Sequence, residues 1–447
     1  MLHKRKGKIL ALFTLICSTL FAGCVGNDAK NTLRNIPQNI WNYIDPVLID
    51  SNLMSAEDQQ QHFADYLSHY FSPWTDQDRF ESDQQIQQSE ISHIQKYTQN
   101  PGWNENHQPY SQWWIKKIIE TMDVAHFPNN KHKVIVVETT AVRNLPTNDP
   151  SFTNWTDAGE GYPFDNLQES LVTTGTPALE LQTTSNGEWS LILFHNDYGW
   201  VKSNTIATVD DDFIKQWHTK NYVAITTDHT SLADEKNTLI LQANLGSIYP
   251  LARQHINNYE VLIPIKDDEQ QARAEIAIVN NNDAAIMPIN FQLKNIATIA
   301  NKILGNPYGW GGMYQYRDCS STVADLLTPF AIWLPRNSSD QMNVGAYISF
   351  AGLSRSEKRE SIVSHGIPFL TLIGLPGHVM LYIGHNNGQI YVLQNIWGLH
   401  TRPLFMPFIP EGRAIIGQTI VVPLEFDKYY LNVPTALIDK IKGITVL

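Results

Sequence analysis

Cysteine is scarce in this chain: three residues in 447, at positions 17, 24 and 319. Scarcity at that level argues against a disulfide-stapled scaffold, which needs several paired thiols. Long apolar runs are missing too. Ile9 to Ala22 comes nearest, and it falls short of the ~20 residues that a membrane-spanning helix requires. Positive charge is in deficit, with 32 Lys and Arg against 44 Asp and Glu and a formal net charge of −12. No basic patch stands out, so nucleic acid is not expected as a partner. His365, His385 and His400 have no acids at metal-ligand spacing, and neither a metal nor a cofactor is expected. Hydrophobic residues are plentiful at 43%, enough for several cores, and the length suggests three or four domains. Aromatic residues reach 11%, including 12 Trp, which fits aromatic-rich cores of small β-domains.

The cysteines sort by position. The basic opening Lys4-Arg5-Lys6-Gly7-Lys8, the apolar stretch and the small residues Ala22-Gly23 describe a secretory signal over 1–23. Small residues directly before Cys24 resemble a bacterial lipobox, although Phe21 stands where an aliphatic residue is usual. Cys24 is then the lipidated first residue of the mature chain, anchored to a membrane. Val25 is not an inner-membrane retention Asp, so the periplasmic side of an outer membrane is expected where the cell has one. Cys17 leaves with the signal, and Cys319 remains as a lone thiol in an oxidising compartment, which suggests that it has a task.

Hydrophobic periodicity divides the rest. Residues 24–45 read as a tether. Residues 46–126 read as helical, with Phe63, Tyr66, Leu67 and Tyr70 at helical spacing until Phe71-Ser72-Pro73-Trp74 breaks the pattern. Short strands such as Val134–Val137 and Leu191–Phe194 predict a small β-barrel over 127–210. Tyr222–Ile225, Thr238–Leu241 and Glu260–Ile263, the last closed by Pro264, predict a second over 211–289. The two stretches share too little sequence to be read as a repeat. Residues 290–426 predict an α+β unit: helix faces Ile296/Ile299/Ala300/Ile303 and Val323/Leu326/Leu327/Phe330, then a hairpin turning at Asn386-Asn387-Gly388. Residues 427–447 read as a C-terminal tail.

Chemistry concentrates in the last unit. Tyr308-Gly309-Trp310-Gly311-Gly312 is a Gly-rich turn, and Asp318-Cys319-Ser320 opens a helix behind it. A helix N-terminus offers unpaired N–H groups and partial positive charge, which favour thiolate. A thiol nucleophile needs a base, and the base needs an orienting group. His378 opens a strand, and Gln394 on the next strand can hold its imidazole, with Asn395 as the alternative because alternation lets only one reach that face.

These motifs, with Leu334-Pro335-Arg336-Asn337-Ser338-Ser339 and Gly377-His378-Val379-Met380-Leu381-Tyr382-Ile383-Gly384, resemble the NlpC/P60 family of cell-wall cysteine peptidases. Arg143-Asn144-Leu145-Pro146, Tyr162–Gln168 and Tyr198-Gly199-Trp200-Val201 resemble bacterial SH3-type domains of a multidomain subgroup. The resemblance implies an α+β, papain-like catalytic domain preceded by two SH3-like barrels and a helical segment. It implies cleavage of peptidoglycan stem peptides or muropeptide fragments between γ-D-glutamate and a diamino acid. It makes Cys319 the nucleophile, His378 the base and Gln394 the third member. It places Tyr308 as an oxyanion or substrate contact, and Asp318, Ser320 and Ser338 at the substrate's amino end. Asp318 as a mere helix cap, a noncatalytic wall-binding lipoprotein, and a thiol amidase cutting another wall amide are the competing readings.

Overall fold

The computed structural model describes residues 33, 35–75, 79–153, 155, 159–401, 412–429, 433 and 435–447. The signal and Cys24 lie outside the described residues. Among the described residues no helix is long and apolar enough to cross a membrane.

Three helices come first: α1 (Ala56–Thr75), α2 (Asp83–Gln99) and α3 (Gln112–Thr121). Helix α1 buries Phe63, Tyr66, Tyr70, Phe71 and Trp74 along one side. It runs past the expected break at Pro73, because that proline sits in the final turn, where its fixed φ is compatible with helix and only one bond is forfeited. Burial of Phe71 and Trp74 on either side of it holds the turn.

Two seven-stranded antiparallel sheets follow. The first comprises β1 (His132–Val136), β2 (Thr140–Arg143), β3 (Gln168–Val172), β4 (Pro177–Thr183), β5 (Trp189–Phe194), β6 (Asp197–Lys202) and β7 (Ile206–Thr208). After helix α4 (Asp211–Trp217) the second comprises β8 (Tyr222–Ile225), β9 (Thr230–Ala233), β10 (Leu239–Ala243), β11 (Ile248–Gln254), β12 (Asn258–Lys266), β13 (Ala272–Asn280) and β14 (Ala284–Met287). Their strand orders are β3-β2-β6-β5-β4-β1-β7 and β10-β9-β13-β12-β11-β8-β14. Position for position these are one topology used twice, a repetition that sequence comparison of the two stretches does not reveal. Pro264 does not close β12. It pairs with Ala274 of β13, in a part of β12 beyond the last β11 pairing at Val261, so its missing N–H costs no ladder bond on that side.

The last unit begins with α5 (Leu293–Ile303) and α6 (Cys319–Leu327), then α7 (Ser338–Gln341), β15 (Ala346–Ser349), α8 (Arg355–His365), β16 (Thr371–Leu375), β17 (His378–Asn386), β18 (Gln389–Thr401), β19 (Gly412–Pro423), α9 (Leu437–Lys440) and β20 (Gly443–Val446). Its sheet runs β15-β20-β16-β17-β18-β19. Two expectations change here. The segment read as a tail supplies β20, inserted between β15 and β16, with Ile444 and Thr445 fully buried. Part of the segment read as a tether is also packed. Ile40, Tyr43 and Ile44 join the core formed by α5, α6 and the sheet, and the Gln38 amide exchanges two bonds with the Val421 backbone at 3.0 Å each. In both segments the buried stretches are only a few residues long, Ile40 to Ile44 and Leu437 to Thr445, too short to mark out an element by pattern alone.

Helix α1 wedges these units together. Trp74 Nε1 donates to Val134 O (2.9 Å) and Tyr70 Oη to Gly175 O (2.9 Å) in the first barrel. Gln59 Nε2 donates to Ile289 O (2.6 Å), and its ring neighbours share a core with Phe213, Trp217 and Tyr222 of the second barrel.

Because β20 is internal, Ile444→Ala is expected to cost about 2–5 kcal/mol, the usual range for emptying a packed aliphatic site. The urea midpoint of the mature chain reads this. An unchanged midpoint would return residues 443–446 to the status of a tail.

Candidate active site

Cys319 is the first residue of α6, and its side chain is only 8% exposed. The preceding residue, Asp318, caps the helix. Its Oδ1 accepts from Ser321 N–H (3.0 Å), while Ser321 Oγ accepts from Asp318 N–H (3.0 Å), a reciprocal capping box. The same carboxylate is buried against Arg336. Arg336 Nη2 donates to Oδ2 at 2.6 Å, and Nη1 donates to Ser320 Oγ at 2.9 Å. Arg336 also reaches the first barrel, donating from Nε to Ser170 Oγ (2.9 Å) and from Nη2 to Glu169 O (3.2 Å). Burial alone would raise the Asp318 pKa, but the charge and bonds of Arg336 hold it below the ordinary carboxylate value.

The Gly-rich turn makes room for the first barrel. Gly311 and Gly312 adopt φ of 55° and 84°. A Cβ on Gly311 would sit 2.7 Å from the Gln168 carbonyl oxygen, and one on Gly312 would collide with Leu171. These glycines let β3 approach the nucleophile's loop. Gln168 Nε2 then donates to Gly311 O (2.7 Å), and Trp310 Nε1 to Asp165 O (2.9 Å). On the other side Arg317 pairs with Asp228 of the second barrel through both oxygens and with Asp325 at 2.7 Å.

The base and its orienting group meet. His378 Nε2 lies 2.7 Å from Gln394 Oε1. Asn395, one position on, turns away and donates to Arg317 O (2.7 Å) and Thr322 Oγ1 (3.2 Å). Alternation along β18 thus decides between the two. The backbone amides of Val379, the residue after His378, and of Ser320 act on the thiol in the direction that favours thiolate. Tyr308 is held by its N–H on Gly417 O (3.0 Å), and its phenol lies within electrostatic range of Asp318 and Cys319.

Protonation differs from the sequence expectation. Burial and the Asp318 charge push the Cys319 thiol up to about 12, and the Val379 and Ser320 amides and Arg336 only partly oppose them. The helix N-terminus is present, but the anion that caps it outweighs it. Burial lowers the His378 pKa below 6.5, against the Gln394 bond and Asp318. The resting pair is therefore neutral thiol and neutral imidazole.

The substrate-contact residues divide. Tyr308 lies within electrostatic range of the thiol, and half-buried Ser338 opens α7. Asp318 and Ser320 are buried, with their polar atoms committed to Arg336, Ser321 and Gly311. Their bonds show them acting as helix cap and anchor. Arg336 is the member whose weight sequence reasoning understated. Its only signal was an arginine among small polar residues in Leu334-Pro335-Arg336-Asn337-Ser338. Among the described residues no cluster of His, Cys, Asp and Glu could hold a metal ion.

Four family models match in chain order: the NLPC_P60 stabilising domain at residues 13–127, an SH3 domain of SH3b1 type at 150–202, an SH3 domain of SH3b2 type at 210–255, and the NlpC/P60 family at 305–395. A solved NlpC/P60 endopeptidase from Photobacterium damselae subsp. piscicida is 30% identical, with a TM-score of 0.82 over 92% of this chain and 97% of that one. The chain belongs to the NlpC/P60 family. An NlpC/P60 family protein from Bacillus cereus is 17% identical, with a TM-score of 0.45 over 70% of this chain and 98% of that one. NlpC1 from Trichomonas vaginalis is 12% identical, with a TM-score of 0.28 over 71% and 93%. No curated protein matches the chain. For this NlpC/P60 protein the two seven-stranded units are the SH3b domains and the six-stranded unit is the NlpC/P60 domain.

A neutral resting thiol makes Cys319 slow to alkylate. Iodoacetamide at pH 7 is expected to label it at least about tenfold more slowly than free cysteine, with a rate that climbs into alkali, since thiolate is the reactive form. Mass spectrometry of the mature chain lacking Cys24 reads one site. Rapid labelling at pH 6 would instead mean a standing thiolate–imidazolium pair.

Proposed function

We propose that this NlpC/P60 peptidase hydrolyses peptidoglycan stem peptides between γ-D-glutamate and the diamino acid, with Cys319 as nucleophile, His378 as base and Gln394 as its orienting partner. The observation that carries the reading is the constellation itself. A lone thiol at a helix start lies against the Val379 amide, next to an imidazole anchored on Gln394 at 2.7 Å.

Neutral His378 takes the Cys319 proton as sulfur attacks the γ-carbonyl carbon. The Gln394 carbonyl accepts from His378 Nε2–H, which leaves Nδ1 as the basic atom. Tyr308 is placed to meet the oxyanion, and the helix N-terminus adds partial positive charge. The imidazolium then protonates the leaving amine of the diamino acid. Water, activated by the same imidazole, hydrolyses the acyl-enzyme and restores the thiol. Gln394 brings no charge, so it stabilises imidazolium less than a carboxylate would. This agrees with a base that rests neutral.

The first SH3b domain walls one side of this site through β3, with Gln168, Glu169 and Ser170 all bonded to the NlpC/P60 domain. A wall there suits stem peptides with a free N-terminal L-alanine, and hence turnover fragments over intact sacculi. Ser338 is proposed at the amino end of the substrate. Tethering through Cys24 to the periplasmic face of an outer membrane remains part of this proposal.

Mass spectrometry of L-Ala-γ-D-Glu-diaminopimelate is the test. The mature protein is expected to release L-Ala-γ-D-Glu, and Cys319→Ala to release none. Cleavage only of muramyl-linked peptide at its sugar–peptide bond would make the protein an amidase. His378→Ala is expected to lower kcat/KM by about 10²–10⁴-fold, the range for a lost general base. The pH profile follows from the shift. The neutral imidazole is the active form and its pKa lies below 6.5, so kcat/KM stays flat down to about pH 6.5 and falls only in stronger acid. An acid limb centred above 7 would contradict the assignment of His378.

A further inference from the structure

Beyond the proposed catalytic residues, Trp397 stands out on β18, three positions after Gln394. A register slip opposite β19, between Ile396 and Gly398, puts it at a bulge, a device that re-aims a side chain. Its ring lies between two tyrosines, 6.1 Å from the Tyr308 ring at 49° and 6.0 Å from the Tyr162 ring at 81°. Tyr308 lies within electrostatic range of the Cys319 thiol, and Tyr162 belongs to the first SH3b domain, so the row of rings spans the domain boundary. Gly417 lies beneath the indole, where a Cβ would meet it at 3.6 Å.

The indole Nε1–H is shielded from solvent and has no acceptor among the described residues. That contrasts with Trp74, Trp200 and Trp310, whose indoles donate to Val134 O, Glu90 Oε2 and Asp165 O. A buried donor without an acceptor is unfavourable, so a ligand oxygen is the natural complement. Positive charge stands nearby. Arg413 of β19 donates to the backbone carbonyls of Glu160 and Tyr162, which fixes its guanidinium at the outer end of the row.

We infer that Trp397 is a specificity-determining residue whose indole N–H donates to a carboxylate of the stem peptide, while the rings of Trp397, Tyr308 and Tyr162 cover the methylenes beside that carboxylate. The inference rests on the stem-peptide reading above. Two carboxylates flank the scissile amide, the α-carboxylate of D-glutamate and the one on the acylated centre of the diamino acid, and both offer the same acceptor chemistry.

The experiment uses the mature chain and three peptides: L-Ala-γ-D-Glu-diaminopimelate and the forms amidated at one or the other carboxylate. Trp397→Phe keeps a ring and removes the N–H. It is expected to raise KM for the parent peptide about tenfold, as for one charge-assisted hydrogen bond, with kcat within about twofold. Calorimetry in the Cys319→Ala background is expected to show the same loss of affinity. One amidated peptide is expected to bind the Trp397-intact protein about tenfold more weakly, and to lose no more with Trp397→Phe, which identifies the carboxylate. Saturating Cys319→Ala with the parent peptide is expected to move the Trp397 indole N–H resonance downfield, a readout that does not depend on the folding of the Phe variant. Unchanged affinity, an equal loss for all three peptides, or an unmoved resonance overturns the inference. Cleavage of the parent peptide in those cases leaves the substrate reading intact. Failure to cleave or bind any stem peptide overturns that reading and this inference with it.

Discussion

The buried pair between Arg336 and Asp318 is the constraint on which the rest of the site depends. Two charges removed from water are tolerated only where every donor and lone pair is used. Here the carboxylate caps α6, receives two guanidinium nitrogens and accepts from Gly311 N–H, while the guanidinium continues to Ser170 and Glu169 of the first SH3b domain. Asp318 immediately precedes Cys319. Whatever fixes the carboxylate therefore fixes the start of the helix, the direction of the thiol and the position of the barrel that walls the cleft.

The residue before it does the same for the other barrel. Arg317 is clamped by Asp228 and Asp325, and burial, which would raise the Asp228 pKa, is overcome by those bonds, so the carboxylate stays below its ordinary value. Consecutive positions in the nucleophile's loop thus hold one SH3b domain each. The arrangement has a chemical consequence. An anion at the helix cap opposes the very thiolate that a helix N-terminus would favour, and burial acts in the same direction. Both effects favour the neutral thiol.

The two SH3b domains share a strand order although their sequences give no sign of it. Small barrels fill their interiors with any β-branched or aromatic residues of suitable volume, so pairing order survives where side chains do not. One helix, α1, shares a core with both of them and reaches the NlpC/P60 domain, where Gln59 Nε2 donates to Phe330 O.

Much of the molecule was legible in residues alone. Period-two and period-3.6 patterns located β8 and the apolar faces of α5 and α6, and Asn387-Gly388, both at positive φ, turned the β17–β18 hairpin as turn chemistry requires. Cys319, His378 and Gln394 stood out as candidates because a lone thiol opens a helix and His and Gln lie on paired strands. Other features depend on contacts far apart in the chain, from about 60 to more than 380 positions: the insertion of β20 into the sheet, the packing of residues 38–44 onto the core, the extension of α1 past Pro73, and the use of Gly311 and Gly312 to admit a barrel. The choice of Gln394 over Asn395 needed strand register, and the neutral resting state of the thiol needed burial and a neighbouring anion. The sequence by itself determined which groups could do chemistry, since identity and local spacing are covalent facts. Which of them meet, how dry they are and what charge stands beside them was decided only by tertiary structure, because those quantities belong to the packed solid and to no single stretch of chain.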